Sequence, residues 1–238
     1  MDTSVSLVIL CLNEELGLRW TYEHYKKIFV ELNIDYEIII FNDGSTDQTA
    51  RIAEEIKSND KSVILLTNSY PKGMGYGYKN SLKTAAKEFY MFAGGNSAPG
   101  ENDIVNLLNS ARENDLVLAY LRNNECRRPL RLFVSRAFTF LMGMITGLGL
   151  RYYNALLIGK VSLLKCVTIR SDGYTFSAEY AAKLLKEFDC SYCEVPVTVQ
   201  FGKKTANKNF KLSAHFLMGF KFFTCLVYDL YIARKKNR

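Results

Sequence analysis

Short apolar runs alternate with helix-forming segments through the first half of this chain, and that alternation limits its fold more than any other feature. The runs are Val5–Leu12, Tyr36–Phe41, Val63–Thr67, Phe89–Ala93 and Leu116–Tyr120. Each reads as a strand, with a helix before the next. Strand–helix alternation of this kind predicts an α/β fold: a mainly parallel mixed sheet with helices on both faces. After residue 121 the order changes. Helices are expected at Pro129–Leu148 and Phe176–Glu187, strands at Ala155–Ile158 and Tyr192–Val199, and a long helix at Lys211–Lys235. The division expected is one α/β domain over 1–210 and an amphipathic helix over 211–238. Gln200–Asn209, rich in Lys, Gly and Asn, reads as a mobile loop.

Two strand ends carry polar turns. The first run ends in Leu12-Asn13-Glu14-Glu15, the second in Asp43-Gly44-Ser45-Thr46-Asp47-Gln48-Thr49. Gly44 allows a tight turn. Ser45 with Gln48 three residues on has the spacing of a capping box, which would start a helix there. Asp43 stands at the carboxyl end of its strand, where open parallel sheets bind ligands. Taken alone, that turn also reads as an acidic turn with a good cap.

Together these turns resemble those of the family-two glycosyltransferases, inverting sugar transferases with a GT-A fold. The resemblance extends through Lys72-Gly73-Met74-Gly75, Ser177-Ala178-Glu179 and Glu194-Val195-Pro196-Val197. Within the family the chain looks most like polyprenyl- or dolichyl-phosphate sugar synthases, on Arg127-Arg128-Pro129-Leu130-Arg131, Ser135-Arg136 and Arg151-Tyr152-Tyr153-Asn154. The resemblance implies a nucleotide-sugar donor held by Leu12, Asn13, Glu15, Asp43, Ser45, Lys72, Gly75, Gly95 and Asn96. Asp43 would accept a hydrogen bond from a ring N–H of the base.

The chain departs from that pattern at the fourth strand. The family's Asp-x-Asp motif holds a divalent ion, Mg²⁺ or Mn²⁺, against the donor diphosphate, whose departure needs charge stabilisation. Here the region reads Ala93-Gly94-Gly95-Asn96. Neither Ala93 nor Gly95 offers an oxygen to a hard cation, and Asn96 offers one carbonyl at most. The alternatives are a weakly held metal, Lys and Arg as electrostatic substitutes, a relative that binds nucleotide without turnover, or an altered copy of an active enzyme. Tyr152 stands near where the synthases carry an Asp. Lack of an obvious general base suits a phosphate acceptor, already anionic at neutral pH, better than a sugar hydroxyl.

Arg127, Arg128 and Arg131 crowd the start of the Pro129 helix, where cations oppose the helix dipole unless an anion is bound. Arg131 and Ser135 share a helix face. By resemblance Arg128, Arg131 and Ser135 would hold an acceptor phosphate; the other reading is a solvated basic helix start. Lys203, Lys204 and Lys208 would fold over the diphosphate, or simply be solvated. In the last helix Lys211, His215, Lys221 and Asp229 fall in one sector, opposite Phe216, Leu217, Phe220, Phe222, Phe223, Leu226, Val227 and Leu230. With the basic end Arg234-Lys235-Lys236, this reads as an interfacial helix on an anionic membrane, or as a helix packed on the core or a partner.

The net charge of +7 calls for a polyanionic partner, and phosphorylated substrate or acidic membrane surface are favoured because no nucleic-acid motif is clustered. The six cysteines are scattered, as in a reduced cytosolic protein. No signal peptide is visible, so a cytoplasmic protein, peripheral on the cytosolic face of a membrane, is expected.

Overall fold

The computed structural model describes residues 3–122, 129–154, 156–202 and 222–233. In chain order the elements begin β1 (Ser4–Cys11), α1 (Leu18–Glu31), β2 (Asp35–Asn42), α2 (Thr49–Asn59), β3 (Val63–Thr67), α3 (Met74–Thr84) and β4 (Phe89–Gly94). They continue with β5 (Ser97–Pro99), α4 (Glu101–Glu113), β6 (Leu116–Leu121), α5 (Pro129–Thr146), β7 (Leu157–Lys160), α6 (Val161–Cys166), α7 (Phe176–Glu187), β8 (Tyr192–Val197) and β9 (Val199–Phe201). Residues 222–233 form a last helix that ends in a π-helical turn, Tyr228–Ala233.

The strands form one sheet in the order β3-β2-β1-β4-β7-β6-β8, with the β5–β9 ribbon attached at the end of β4. β1, β2, β3 and β4 run parallel, and β6 and β8 run parallel to each other. β7 alone on this path is antiparallel to both its neighbours. The chain steps outward from β1 to β3 and then returns to β4 on the other side of β1. The sheet's switch point therefore lies between β1 and β4.

The continuous apolar runs are explained by two cores. Val5, Leu7 and Ile9 of β1 face a layer built on α1, α2 and α4, with Ile38 and Ile40 of β2 beside them. Val8, Leu10, Ile39 and Phe41 point the other way, onto α3, α5, α6 and α7. Alternate residues of one strand thus serve opposite cores, so no position along it can be polar without a partner.

Several boundaries differ from the sequence expectation. The strand expected at Tyr192–Val199 is two strands, and the loop expected at Gln200–Asn209 begins with the end of β9, paired to β5. α3 starts at Met74 and carries two glycines in its first turn. Gly75 and Gly77 are poor helix formers, but a Cβ on Gly77 would fall 2.8 Å from Phe41 Cδ1, so close packing requires glycine there. α5 stops at Thr146 because Gly147, at φ +69°, ends the helix in the left-handed conformation.

The last helix also differs. Phe222, Leu226 and Leu230, one turn apart, are buried in the second core. Over its described part the apolar face lies on the protein, not on a membrane. Asp229, expected on the solvent sector, turns inward: its carboxylate meets Lys183 at 2.8 Å and Arg170 at 2.7 Å. Lys211, His215 and Lys221 lie outside the described residues. Lys183 spends its three donors on Glu179, Asp229 and the Thr168 carbonyl. Burial alone would lower its pKa, but the hydrogen bonds to Asp229 and Glu179 outweigh that and raise it. Lys183→Met should take the buried cation from two carboxylates, leaving Asp229 only Arg170 and Glu179 only backbone amides, and cost about 3–5 kcal/mol in urea unfolding. A loss under about 1 kcal/mol would mean that Asp229 and Glu179 find equal partners elsewhere.

Candidate functional site

The carboxyl ends of β1, β2 and β4 finish in step: Asp43 N–H donates to the Cys11 carbonyl and Gly95 N–H to that of Leu10. This brings the turns after three strands together at the switch point, the usual ligand edge of such sheets.

The turns after β1 and β2 are laced to each other. Asn13 N–H donates to Ser45 Oγ at 3.0 Å, Glu14 N–H to Thr49 Oγ1 at 2.8 Å, and Glu15 N–H to Asp47 Oδ2 at 3.2 Å. In return, Thr46 N–H donates to Asn13 Oδ1 and Gln48 N–H to Glu15 Oε2. The expected capping box does not form, because Ser45 is engaged by Asn13 and α2 starts only at Thr49. Its free N–H groups are satisfied by Glu15 from the other turn and by Asp47, whose Oδ1 accepts from Thr49 N–H. Two carboxylates at this helix start complement its dipole.

Asp43 is buried at the centre. Its Oδ1 accepts from Asn68 Nδ2 at 2.7 Å and Lys72 N–H at 2.9 Å, its Oδ2 from Gly73 N–H at 2.7 Å. It therefore fixes segment 68–73 over the β2 turn. Gly44, at φ +70°, sits beneath that segment, and a Cβ there would lie 2.6 Å from the Tyr70 backbone. Lys72 extends its amine over the rings of Tyr76 and Tyr70, 4.6 and 5.2 Å from their centroids, and donates to Tyr76 Oη, which raises its pKa. Gly75 N–H donates to the Asp172 carbonyl. Segment 170–172 is in turn held by Glu179, whose two oxygens accept from Arg170 and Ser171 N–H. The Ser-Ala-Glu motif thus supports the edge from below.

The residues expected to hold a nucleotide sugar separate into two groups. Leu12, Asn13, Glu15, Asp43, Ser45, Lys72, Gly75 and Gly95 do converge on this edge. Asn96 is directed elsewhere: its side chain is wedged against Gly17 and Gly202, at the start of α1 and the end of β9. Ala93 lies in the first apolar core. No cluster of three or more His, Cys, Asp or Glu side chains suited to a metal occurs among the described residues.

A second concavity, of about 310 Å³, opens where β6 ends. Its wall combines Ser135, Arg136 and Thr139 of α5 with Tyr120, Arg151 and Tyr152, closed on one side by Leu132 and Phe140. Arg151 lies over the Tyr120 ring, 5.0 Å from its centroid, and its N–H donates to Glu194 Oε1 at 2.7 Å. The Glu-Val-Pro motif therefore positions this arginine. Ser135 is where the sequence placed it. Arg131 lies on α5, but its side chain is outside the described residues, as are Arg128, Lys203, Lys204 and Lys208. Sequence reasoning quoted Arg136 and Arg151 but gave them no role. The signal was present for Arg136, one helical turn from Leu132 and Phe140; Arg151 is brought in only by the fold.

The profile of glycosyl transferase family 2 matches residues 6–154, and the chain belongs to that family. It is 25% identical over 182 residues to a dodecaprenyl-phosphate galacturonate synthase of Rhizobium johnstonii, covering 75% of this chain and 54% of that protein. It is 28% identical over 109 residues to a dolichyl N-acetyl-α-D-glucosaminyl phosphate 3-β-D-2,3-diacetamido-2,3-dideoxy-β-D-glucuronosyltransferase of Methanococcus voltae, covering 43% of this chain and 32% of the other. The chain thus spans about half or less of the length of these relatives. Among solved structures it resembles glucosyl-3-phosphoglycerate synthase of Mycobacterium tuberculosis, in complex with Mn²⁺, uridine diphosphate and phosphoglyceric acid. The TM-score is 0.71 at 17% identity, over 97% of this chain and 79% of that one. That likeness establishes the GT-A architecture.

The lacing between turns carries a pH dependence. Burial alone would raise the pKa of Asp47, but hydrogen bonds from Thr49 and Glu15 outweigh it and hold the carboxyl below its usual value. A depressed folded pKa contributes stability that is complete above the unfolded value, about 3.9, and is lost as pH falls through the folded one. Stability measured at pH 6 and in steps below pH 4 should fall less steeply in Asp47→Asn than in the parent. Equal slopes would show that the Asp47 contacts add nothing in solution.

Proposed function

We propose that this chain transfers a sugar, with inversion, from a nucleotide-sugar donor to a polyprenyl-type lipid phosphate at a membrane surface. The observation that carries the reading is the concavity beside α5. Two arginines and several hydroxyls suit a phosphate, Leu132 and Phe140 suit the start of an apolar chain, and the opening faces the same sheet edge as the donor turns.

The surface around it supports the same acceptor. α5 exposes Phe133 (70%), Phe140 (66%) and Met144 (60%), with Leu130 and Leu141 on the same side. An apolar stripe beside clustered arginines is what an anionic membrane receives. No helix among the described residues is long and apolar enough to cross a membrane; the contact proposed is made by the exposed face of α5. The names of the curated relatives point to polyprenyl- and dolichyl-linked chemistry as well.

On this reading the donor lies along Leu12–Glu15, Asp43–Ser45 and Lys72–Gly75. A phosphate oxygen of the acceptor attacks the anomeric carbon. The bond from that carbon to the donor diphosphate breaks, the electron pair leaves with the nucleoside diphosphate, and one in-line displacement inverts the centre. The acceptor is already an anion, so no general base is required. The protein positions the two anions and offsets their repulsion.

Nucleotide sugars screened with a polyprenyl phosphate should give one glycosyl lipid phosphate by mass. Arg136→Ala or Arg151→Ala should lower kcat/KM for that acceptor by about 10- to 100-fold, the worth of a hydrogen bond to a charged group. Donor binding should be unchanged. Normal transfer in both variants would move the acceptor to another site. Separately, Phe133→Ser with Phe140→Ser should release the protein from anionic vesicles, since each buried Phe contributes about 1.5–3 kcal/mol. Undiminished co-sedimentation would remove α5 from the membrane contact.

A further inference from the structure

The turn after β4 does not fit the divalent ion that GT-A donor sites use, and the reason is steric as well as chemical. Ala93 is 1% exposed and lies in the apolar core. A carboxylate at that position would point into hydrocarbon, not toward a ligand. At Gly95 the space for a side chain is already taken. A Cβ there would stand 2.8 Å from Glu14 Cγ, 2.9 Å from Glu14 Cβ and 3.1 Å from Cys11 Sγ.

Glu14 is firmly placed. Its N–H donates to Thr49 Oγ1, and its carbonyl accepts from Gly17 and Leu18 N–H at the start of α1. Its Oε2 is buried. The other carboxylate at the centre, Asp43, has both oxygens engaged by amide donors at 2.7–3.1 Å. Mg²⁺ needs one or two carboxylates presented toward the phosphates it bridges; Asp43 is committed to amides, and the aliphatic stem of Glu14 stands where a carboxylate at position 95 would have to pass.

We infer that positions 14 and 95 form a compensating pair: the Glu14 side chain fills the β4 turn, and the donor diphosphate is held without a divalent ion. Among the described residues a cation on that edge is Lys72, whose amine is held above two tyrosine rings. The inference rests on the donor-site reading above and goes beyond it, because it assigns how the diphosphate charge is met.

The test is calorimetric titration of the full chain with UDP and with GDP, in EDTA and in excess Mn²⁺. The parent should bind one of them with affinities that agree within about twofold in the two conditions. Lys72→Ala should weaken that binding about tenfold in EDTA. Gly95→Asp alone should lower the melting temperature and acquire no metal dependence, because Glu14 blocks the new side chain. Glu14→Gly combined with Gly95→Asp should restore the fold and bind nucleotide about tenfold or more tightly with Mn²⁺ than without. A parent whose affinity rises tenfold with Mn²⁺, with that rise lost in Glu14→Gln, would make Glu14 a metal ligand and overturn the inference while the donor site stands. A double variant indifferent to Mn²⁺ would overturn the pairing of the two positions. Failure of either nucleotide to bind under any condition would bring down the donor reading and this inference together.

Discussion

The hydrogen-bonded lacing of the β1 turn to the β2 turn is the constraint on which the ligand edge depends. Parallel strands end with their amide and carbonyl groups pointing past the sheet, and loops there are free to diverge. Here Asn13, Glu15, Ser45 and Asp47 bind each other's backbones, so the two turns move as one. Asp43 extends the same order to segment 68–73. Gly75, just beyond that segment at the start of α3, then donates to the Asp172 carbonyl, and Glu179 holds that loop from α7. Polar side chains on this edge therefore act first on backbone amides. Ligand recognition is built on what those contacts leave open.

This ordering explains which parts of the molecule could be read from the sequence. Strand positions were legible because a strand buried on both faces must be mainly apolar, and β1 to β4 follow that rule except where a partner is supplied, as Glu37 Oε1 is for the buried Ser6 hydroxyl. The turn motifs were legible as motifs, and their convergence followed from parallel strands ending in step. What each residue does there was not. Ser45 with Gln48 has the spacing of a local cap, yet the cap comes from Glu15, more than thirty residues earlier in the chain. Nothing in local spacing records a partner supplied by another strand.

The same limit applies at the second concavity and at the last helix. Ser135 could be found from its helix face, whereas Arg151 reaches the cavity through the turn before β7 and a contact with Glu194 on β8. The last helix has a wide apolar face, and periodicity alone cannot say whether lipid or protein covers it. Asp229 decides the matter for residues 222–231, since it is the counterion of a lysine buried on α7. The exposed apolar stripe lies instead on α5, whose sequence is apolar nearly all round and so gave no direction.

The reversed strand β7 sets a gauge. It is inserted between β4, whose end carries the Gly95 turn, and β6, whose end opens onto the arginine-lined cavity. Neighbouring strands are spaced by slightly under 5 Å, so the two ends stand about 10 Å apart across the sheet. Because β7 runs the other way, it enters rather than ends at this edge, and the segment leading into it carries Arg151 and Tyr152 to the cavity. Changing the spacing of the two strand ends would require inserting or deleting a strand, so the separation between the Gly95 turn and the cavity is a property of topology and is insulated from point substitution.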